Sequence, residues 1–235
     1  MKKFLKFISQ RSKKAFKAAF PFTLPIFAGF WFLGISYGIY MNVCGFSWIY
    51  PALMSLTIFA GSVEFIVVNL LLGSFNPLQA FILAFIVNAR HLFYGISMLD
   101  KYRDLGMKKF YLIFGLCDES FSINYTAKIP DGIDRGLFYF WITLLNQFYW
   151  VSGSTLGGIF GSMIKFNTHG LEFILTSLFV VIFLEQFLKE KNHLNALTGF
   201  FASLVCLLIF GAENFVLPSI AIILILLTIF RSKLE

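Results

Sequence analysis

The chain has 235 residues, of which 58% are hydrophobic and 13% charged, with a net charge of +7 and a mean hydropathy of +0.80. A soluble domain carries about a quarter charged residues, so this composition excludes a water-soluble globular fold and places the chain among integral membrane proteins. Cys44, Cys117 and Cys206 stand far apart with no CxxC or Cys/His spacing, which argues for neither a disulfide framework nor a zinc site.

The first seventeen positions hold Lys2, Lys3, Lys6, Arg11, Lys13, Lys14 and Lys17, and no acid occurs before Glu64. The positive-inside rule keeps this end in the cytoplasm. Residues 1–19 read either as a basic tail or, through Phe4, Leu5, Phe7 and Ile8, as an interfacial helix lying on anionic lipid. Residues 20–235 read as a single transmembrane domain. Apolar segments fall at roughly 20–42, 48–73, 77–99, 109–127, 136–164, 171–188, 194–211 and 214–230. A crossing takes about 20 helical residues, so the fold class is an all-α polytopic bundle of about six to eight membrane segments. Breakers separate them: Pro51, the run Gly73 to Pro77, Gly106, Pro130-Asp131-Gly132, Asn167 to Gly170, and Gly211.

If every segment crosses, the basic start, Lys189/Lys191 and Arg231/Lys233 share the cytoplasmic side, but the loop Asp100 to Lys109, with Lys101, Arg103, Lys108 and Lys109, falls outside. Two readings are open. That loop breaks a statistical rule, or 77–99 and 109–127 are broken or half-membrane elements, which leaves the later crossings in their orientation. Separately, Trp31-Phe32-Leu33-Gly34 followed by Gly38 resembles Trp150-Val151-Ser152-Gly153 followed by Gly157, a faint sign of internal duplication.

Charges at bilayer depth cost at least about 2.5–3.5 kcal/mol each, so they persist where they pair, face a cavity or work. Glu64 sits in Ala60-Gly61-Ser62-Val63-Glu64-Phe65; Asn88, Arg90, His91 and Tyr94 fall in the third segment; Asp118 and Glu119 follow Cys117; Asn146, Gln147 and Trp150 lie in the fifth. Asn88 and His91 share one helical face and Arg90 and Tyr94 another, so either both faces meet protein or water, or the helix breaks there. Glu64, Asp118 and Glu119 outnumber Arg90, and a proton or a substrate ammonium group would absorb the surplus. A zwitterionic amino acid suits this set, its carboxylate at Arg90 or a half-helix N-terminus and its ammonium at an acid. Plainer roles stand beside these: Arg90 and His91 as interfacial anchors, Asp118 and Glu119 as a helix cap, Asn146 and Gln147 as interhelical ties, Glu185 and Gln186 at the interface, and His169, His193 and Glu213 in loops.

The runs FAGSVEF (59–65), VNARHLFYGISM (87–98), FGLCDESF (114–121) and NQFYWVSGSTLGG (146–158) resemble the AzlC-type large subunit of branched-chain amino acid exporters, the LIV-E class. The resemblance implies outward secondary transport of valine, leucine or isoleucine across a bacterial inner membrane, coupling to protons, and a small AzlD-type partner of about four membrane segments. Arg90, His91, Tyr94 and Gly95 match one family motif, and Asp118 and Glu119 another. Glu64 replaces the usual glutamine, and Cys117 a frequent threonine. Glu64, Asn88, Arg90, His91, Tyr94, Asp118, Glu119, Asn146 and Trp150 are thus the expected substrate-binding or proton-coupling residues, with no metal ligand, no cofactor and no nucleic-acid partner. The alternative is a membrane-embedded enzyme using His91 with Asp118 or Glu119, although no HExxH or GxSxG signature accompanies them.

Overall fold

A computed structural model describes residues 2–73, 76–163 and 193–229, with isolated positions between 177 and 188. Most of the apolar segment expected at 171–188 lies outside the described residues, as do Asn167 to Gly170, Glu185, Gln186, Lys189, Lys191, Arg231 and Lys233. All regular structure among the described residues is helical: α1 (Lys2–Val43), α2 (Ile49–Thr57), α3 (Gly61–Leu72), α4 (Pro77–Val87), α5 (Ala89–Tyr102), α6 (Lys108–Phe114), α7 (Asp118–Thr126), α8 (Arg135–Phe160), α9 (Leu194–Asn214) and α10 (Val216–Ile229). Two compact units, 1–172 and 173–235, divide the chain.

The first unit is built on α1 and α8, which lie side by side and run in the same direction. Their contacts advance together: Trp141 Nε1 donates to Ser12 Oγ (3.1 Å), Thr23 shares a hydrogen bond with the Tyr149 hydroxyl (3.1 Å), Trp31 Nε1 donates to Ser152 Oγ (3.0 Å), and Asn42 Nδ2 donates to the Gly158 carbonyl (3.3 Å). Lipid tails are as apolar as leucine, so packing of this kind comes from close backbone approach rather than from the hydrophobic effect. Gly38 and Gly157 permit it. A Cβ on Gly38 would stand 2.1 Å from the Ser154 carbonyl oxygen, and one on Gly157 would stand 2.2 Å from that of Ile35. The two similar Trp-Gly runs therefore pack against each other. The basic turns of α1 continue into its apolar length as one 42-residue helix, with Pro21 and Pro25 inside it.

Between α1 and α8 the chain makes two helix hairpins that enter from opposite ends of this pair. α2 descends from Gly158, where Trp48 and Pro51 pack, to the level of Gln147, whose Nε2 donates to the Leu56 carbonyl (3.1 Å). The chain reverses through Phe59, which takes the left-handed φ of +48° that a bulky residue seldom adopts. α3 then starts with Gly61 against the Trp150 ring and climbs α1, where Phe65 packs on Tyr37 and Tyr40, and Asn69 accepts from the Tyr40 hydroxyl. α4 returns along α3 over an apolar seam of Val63, Ile66, Leu70, Ala80, Leu83 and Val87. It bends by 52° into α5, which runs on to bury Met98 and Tyr102 with Ala19, Leu112 and Phe138.

The second hairpin rises from this lower end. Lys108 lies beside Gly136, the Tyr111 hydroxyl donates to Gln147 Oε1 (2.6 Å), and Gly115 meets Thr143. After Cys117 the chain turns back as α7, whose Asn124 Nδ2 donates to the Tyr102 hydroxyl (3.0 Å). Lys101 Nζ donates to the Asn124 and Tyr125 carbonyls, placing a cation at the negative end of α7.

The conflict over the basic loop resolves in this topology. Arg135 donates to the Arg103 carbonyl (3.1 Å), and Arg11 pairs with Asp134 at 3.9 Å, so the 103–107 loop shares its end of the unit with the basic turns of α1. Of the two segments for which broken or half-membrane elements are one of two open readings, 109–127 turns back, whereas 77–99 is broken by a 52° bend. Segment 48–73, expected to cross, is the second that reverses. By length and composition, Gln10–Val43 and Leu194–Gly211 are long and apolar enough to cross a membrane, and the α4/α5 pair makes a third if it is one span. The expected six to eight crossings are not reached among the described residues, because two apolar segments fold as hairpins and α8 is diluted by Asn146, Gln147 and its serines and glycines. Large side chains such as Phe32, Leu78, Phe81, Ile96 and Leu99 stand exposed, as lipid contact allows and water does not.

In the second unit, α9 ends its straight run at Gly211, where φ of +74° takes the chain out of helical geometry. Only glycine adopts that conformation without a Cβ penalty. α9 and α10 face each other through Leu197, Phe201, Val205, Ile222 and Leu226.

Candidate functional site

The polar residues of the first unit gather where its helices break. Asn88 is the non-helical residue between α4 and α5, and Cys117 the extended residue that opens α7; neither side chain caps the helix that follows. Arg90 and Asp118 therefore both stand in the first turn after a break. Arg90 donates through Nε to Asp118 Oδ1 and through Nη2 to Oδ2, both at 2.9 Å. Its Nη1 donates to the Val87 carbonyl (3.1 Å), one of those left open where α4 ends. Tyr94, one turn on, donates its hydroxyl to Asp118 Oδ1 (2.8 Å), and its ring stacks on Phe121 at 4.3 Å. Asp118 thus takes three charge-assisted or hydroxyl hydrogen bonds and also lies at the positive end of α7. The pair is not sealed: 33% of the Arg90 side chain and 27% of that of Asp118 remain accessible.

Glu64 is placed differently. It is fully buried, its Oε1 and Oε2 accept from Trp150 Nε1 at 2.9 and 3.1 Å, and Oε1 also accepts from the Ala60 N–H at 3.1 Å. The carboxylate thereby caps its own helix and locks the α2/α3 reversal onto α8. Tyr37 stacks on the same indole and Phe30 meets it edge-on. Glu64 makes no ion pair with Arg90, so the expected common cluster of one cation and three acids divides into an Arg90–Asp118–Tyr94 group and a Glu64–Trp150 group.

Glu119 is half-buried in the first turn of α7, next to Asp118, while the Cys117 thiol that precedes them lies 3.3 Å from Ser120 Oγ. His91 brings Nδ1 to 3.2 Å from the Asn88 carbonyl and packs on Tyr94. Asn146 donates through Nδ2 to Ser120 Oγ (3.3 Å), and Gln147 bridges the Tyr111 hydroxyl and the Leu56 carbonyl, so both tie helices together as their residue types predict. Sequence reasoning missed Thr143 and gave Ser120 no role. The signal was present in the spacing of Thr143, Asn146, Gln147 and Trp150, which sets a polar stripe along α8 facing both hairpin tips.

What the arrangement defines is a polytopic membrane protein in which interrupted helices hold charged groups against one continuous helix. The chain belongs to the AzlC family: the family described as AzlC protein matches residues 25–164, which span the breaks at Phe59, Asn88 and Cys117 and the whole of α8. A Bacillus subtilis (strain 168) protein named "Branched-chain amino acid transport protein AzlC" is 61% identical over 221 residues, covering 94% of this chain and 87% of its own length. A Haemophilus influenzae protein named "Uncharacterized membrane protein" is 48% identical over 94% of this chain and 91% of its own length. A Helicobacter pylori (strain J99) protein with the same description is 37% identical over 94% and 97%. No solved structure matches the chain.

Proposed function

We propose that this chain is the large subunit of a secondary transporter that exports hydrophobic, branched-chain amino acids such as valine, leucine or isoleucine. It sits in the bacterial plasma membrane with its N-terminus in the cytoplasm, is coupled to protons, and works with a small AzlD-type membrane subunit. The observation that carries the reading is the Arg90–Asp118 pair, a two-pronged but partly accessible ion pair between two helix breaks. The close likeness to a protein named for branched-chain amino acid transport supports it.

A zwitterion can enter such a pair without leaving a charge unmatched. The substrate carboxylate takes the Arg90 guanidinium, its ammonium takes Asp118, and one ion pair becomes two. Tyr94 holds Asp118 in place during the exchange, and Glu119, Asn88 and His91 line the same breaks. Glu64, sealed against Trp150 and capping α3, is the candidate for the coupled proton. The hairpins α2/α3 and α6/α7, entering from opposite ends and resting on Gln147, Trp150 and Asn146, are the elements whose movement would open the site to one side or the other.

The test is counterflow of labelled valine in proteoliposomes holding this chain and its small partner. Saturable exchange is expected; no saturable flux with any apolar amino acid removes the reading. The enzymatic alternative gains nothing from the geometry, since His91 bonds a carbonyl and Asp118 is committed to Arg90 and Tyr94.

A further inference from the structure

Three oxygens at the α7–α8 interface are buried and have no hydrogen-bond partner: Asn124 Oδ1, Thr143 Oγ1 and Asn146 Oδ1. Each of these residues has 0% of its surface accessible. Ser120 and Asn124 lie one turn apart on α7, and Thr143 and Asn146 one turn apart on α8, with the Asn146–Ser120 bond joining the two rows. The amide nitrogens are already spent, that of Asn146 on Ser120 Oγ and that of Asn124 on the Tyr102 hydroxyl, which turns both amide oxygens away from those partners. The Thr143 methyl packs toward Gly115, where a Cβ would stand 2.2 Å from Cγ2, leaving its hydroxyl to face elsewhere.

An unpaired buried polar atom costs about 1–3 kcal/mol, and three of them on two helices joined by the Asn146–Ser120 bond call for an occupant. We infer that these oxygens bind an alkali cation, with sodium as the ion their chemistry fits. The two amide oxygens are acceptors only, so the occupant has to bring positive charge or hydrogens to them, and the Thr143 hydroxyl oxygen can serve a cation as a third ligand. A hard monovalent ion does this with uncharged oxygen ligands alone, whereas calcium and magnesium call for carboxylates, and this set contains none. Glu119, in the same first turn of α7 as Ser120 and making no ion pair among the described residues, lies near enough in the chain to offset the single charge. The site is separate from the Arg90–Asp118 pair and does not rest on the transport reading.

The experiment is thermal unfolding of the purified full chain in detergent, without any amino acid, in sodium, potassium or choline chloride at equal ionic strength. Sodium is expected to raise the midpoint saturably above the choline value and more than potassium does. Thr143→Val, which removes one oxygen and keeps the shape, is expected to weaken the apparent sodium affinity at least about tenfold. Equal midpoints in all three salts, or a sodium effect that survives intact in Thr143→Val, would overturn the site and leave ordinary buried water as its occupant. Should Thr143→Val not yield folded protein, the comparison of salts on the unaltered chain decides alone. Because no substrate is present, failure here leaves the valine counterflow result standing, and the converse also holds.

Discussion

Arg90 and Asp118, 28 residues apart in sequence, meet through two parallel hydrogen bonds of 2.9 Å, each residue in the first turn after an interrupted helix. The pair closes the gap between the α4/α5 bend and the tip of the α6/α7 hairpin. Arg90 also occupies the Val87 carbonyl at the end of α4, so a single guanidinium serves both sides of one break and the start of another. Non-helical backbone at membrane depth is tolerated only where protein or water satisfies it, and this side chain supplies part of that satisfaction.

Arg90→Ala is expected to lower stability by about 1.5–3 kcal/mol, the range for hydrogen bonds to a charged group, and to abolish valine counterflow. Removing both partners removes the uncompensated charge, so the Arg90→Ala, Asp118→Ala double variant should lose less stability than the sum of the singles. Arg90→Lys keeps the charge without the fork and should fall between. Thermal midpoints for the cycle check the coupling; additive losses would mean that the pair is not formed in the membrane.

Glu64→Gln keeps an oxygen for Trp150 Nε1 and the Ala60 N–H, and gives up the charge and the longer second contact of the indole N–H, where an amide NH2 replaces Oε2. Stability is expected to change by less than about 1 kcal/mol, because neutral hydrogen bonds replace charge-assisted ones without opening space. The pH profile of counterflow is expected to flatten if the coupled proton sits on Glu64. An unchanged profile assigns coupling elsewhere, with Glu119 next in line.

Much of this was readable in the residues. Charges and amides in an apolar chain announced burial and pairing, and the i, i+4 spacing of Arg90 and Tyr94 put them on one face, where both reach Asp118. The two-direction polarity around Asn88 left two readings open, both faces meeting protein or water or a break in the helix, and the helix breaks there. The reversal in 48–73 was not legible: Ile58 and Phe59 are apolar and nothing in Leu56 to Gly61 signals a turn other than one glycine, because the reversal is held by Glu64 and Trp150, 86 residues apart. The same holds for the division of the acids. Charge counting sees totals, whereas the partner of each carboxylate is set by which hairpin tip carries it.

The α1–α8 contact makes a prediction about glycine. Gly38→Ala places a methyl carbon 2.1 Å from the Ser154 carbonyl oxygen, a backbone atom that yields only if the helices separate. Gly29 lies on the same helix with nothing within 4 Å. Gly38→Ala is expected to lose most of the folded protein, at a cost of about 3 kcal/mol or more from overpacking. Gly29→Ala is expected to be neutral or slightly stabilising, since alanine is the better helix former. Yield and monodispersity in detergent separate the two, and equal behaviour would mean that α1 and α8 do not pack through this face.

The opposed hairpins make a prediction about sidedness. If α6 and α7 rise and return from the end that carries Arg11, Arg103 and Arg135, then both feet of that hairpin, near Asp104 and Lys128, face the same compartment as Lys14. The turn before α4 and the end of α1, near Asn76 and Gly45, face the other. Single cysteines at Lys14, Asp104, Lys128, Gly45 and Asn76, in a chain with Cys44, Cys117 and Cys206 changed to serine, report this through labelling of intact cells with a membrane-impermeant maleimide. Asn76→Cys and Gly45→Cys are expected to label in intact cells, and Lys14→Cys, Asp104→Cys and Lys128→Cys only after the membrane is opened. Crossing of segment 109–127 would put Asp104 and Lys128 in opposite compartments and give them opposite labelling, and that outcome would remove the α6/α7 hairpin and with it the route that brings Asp118 to Arg90.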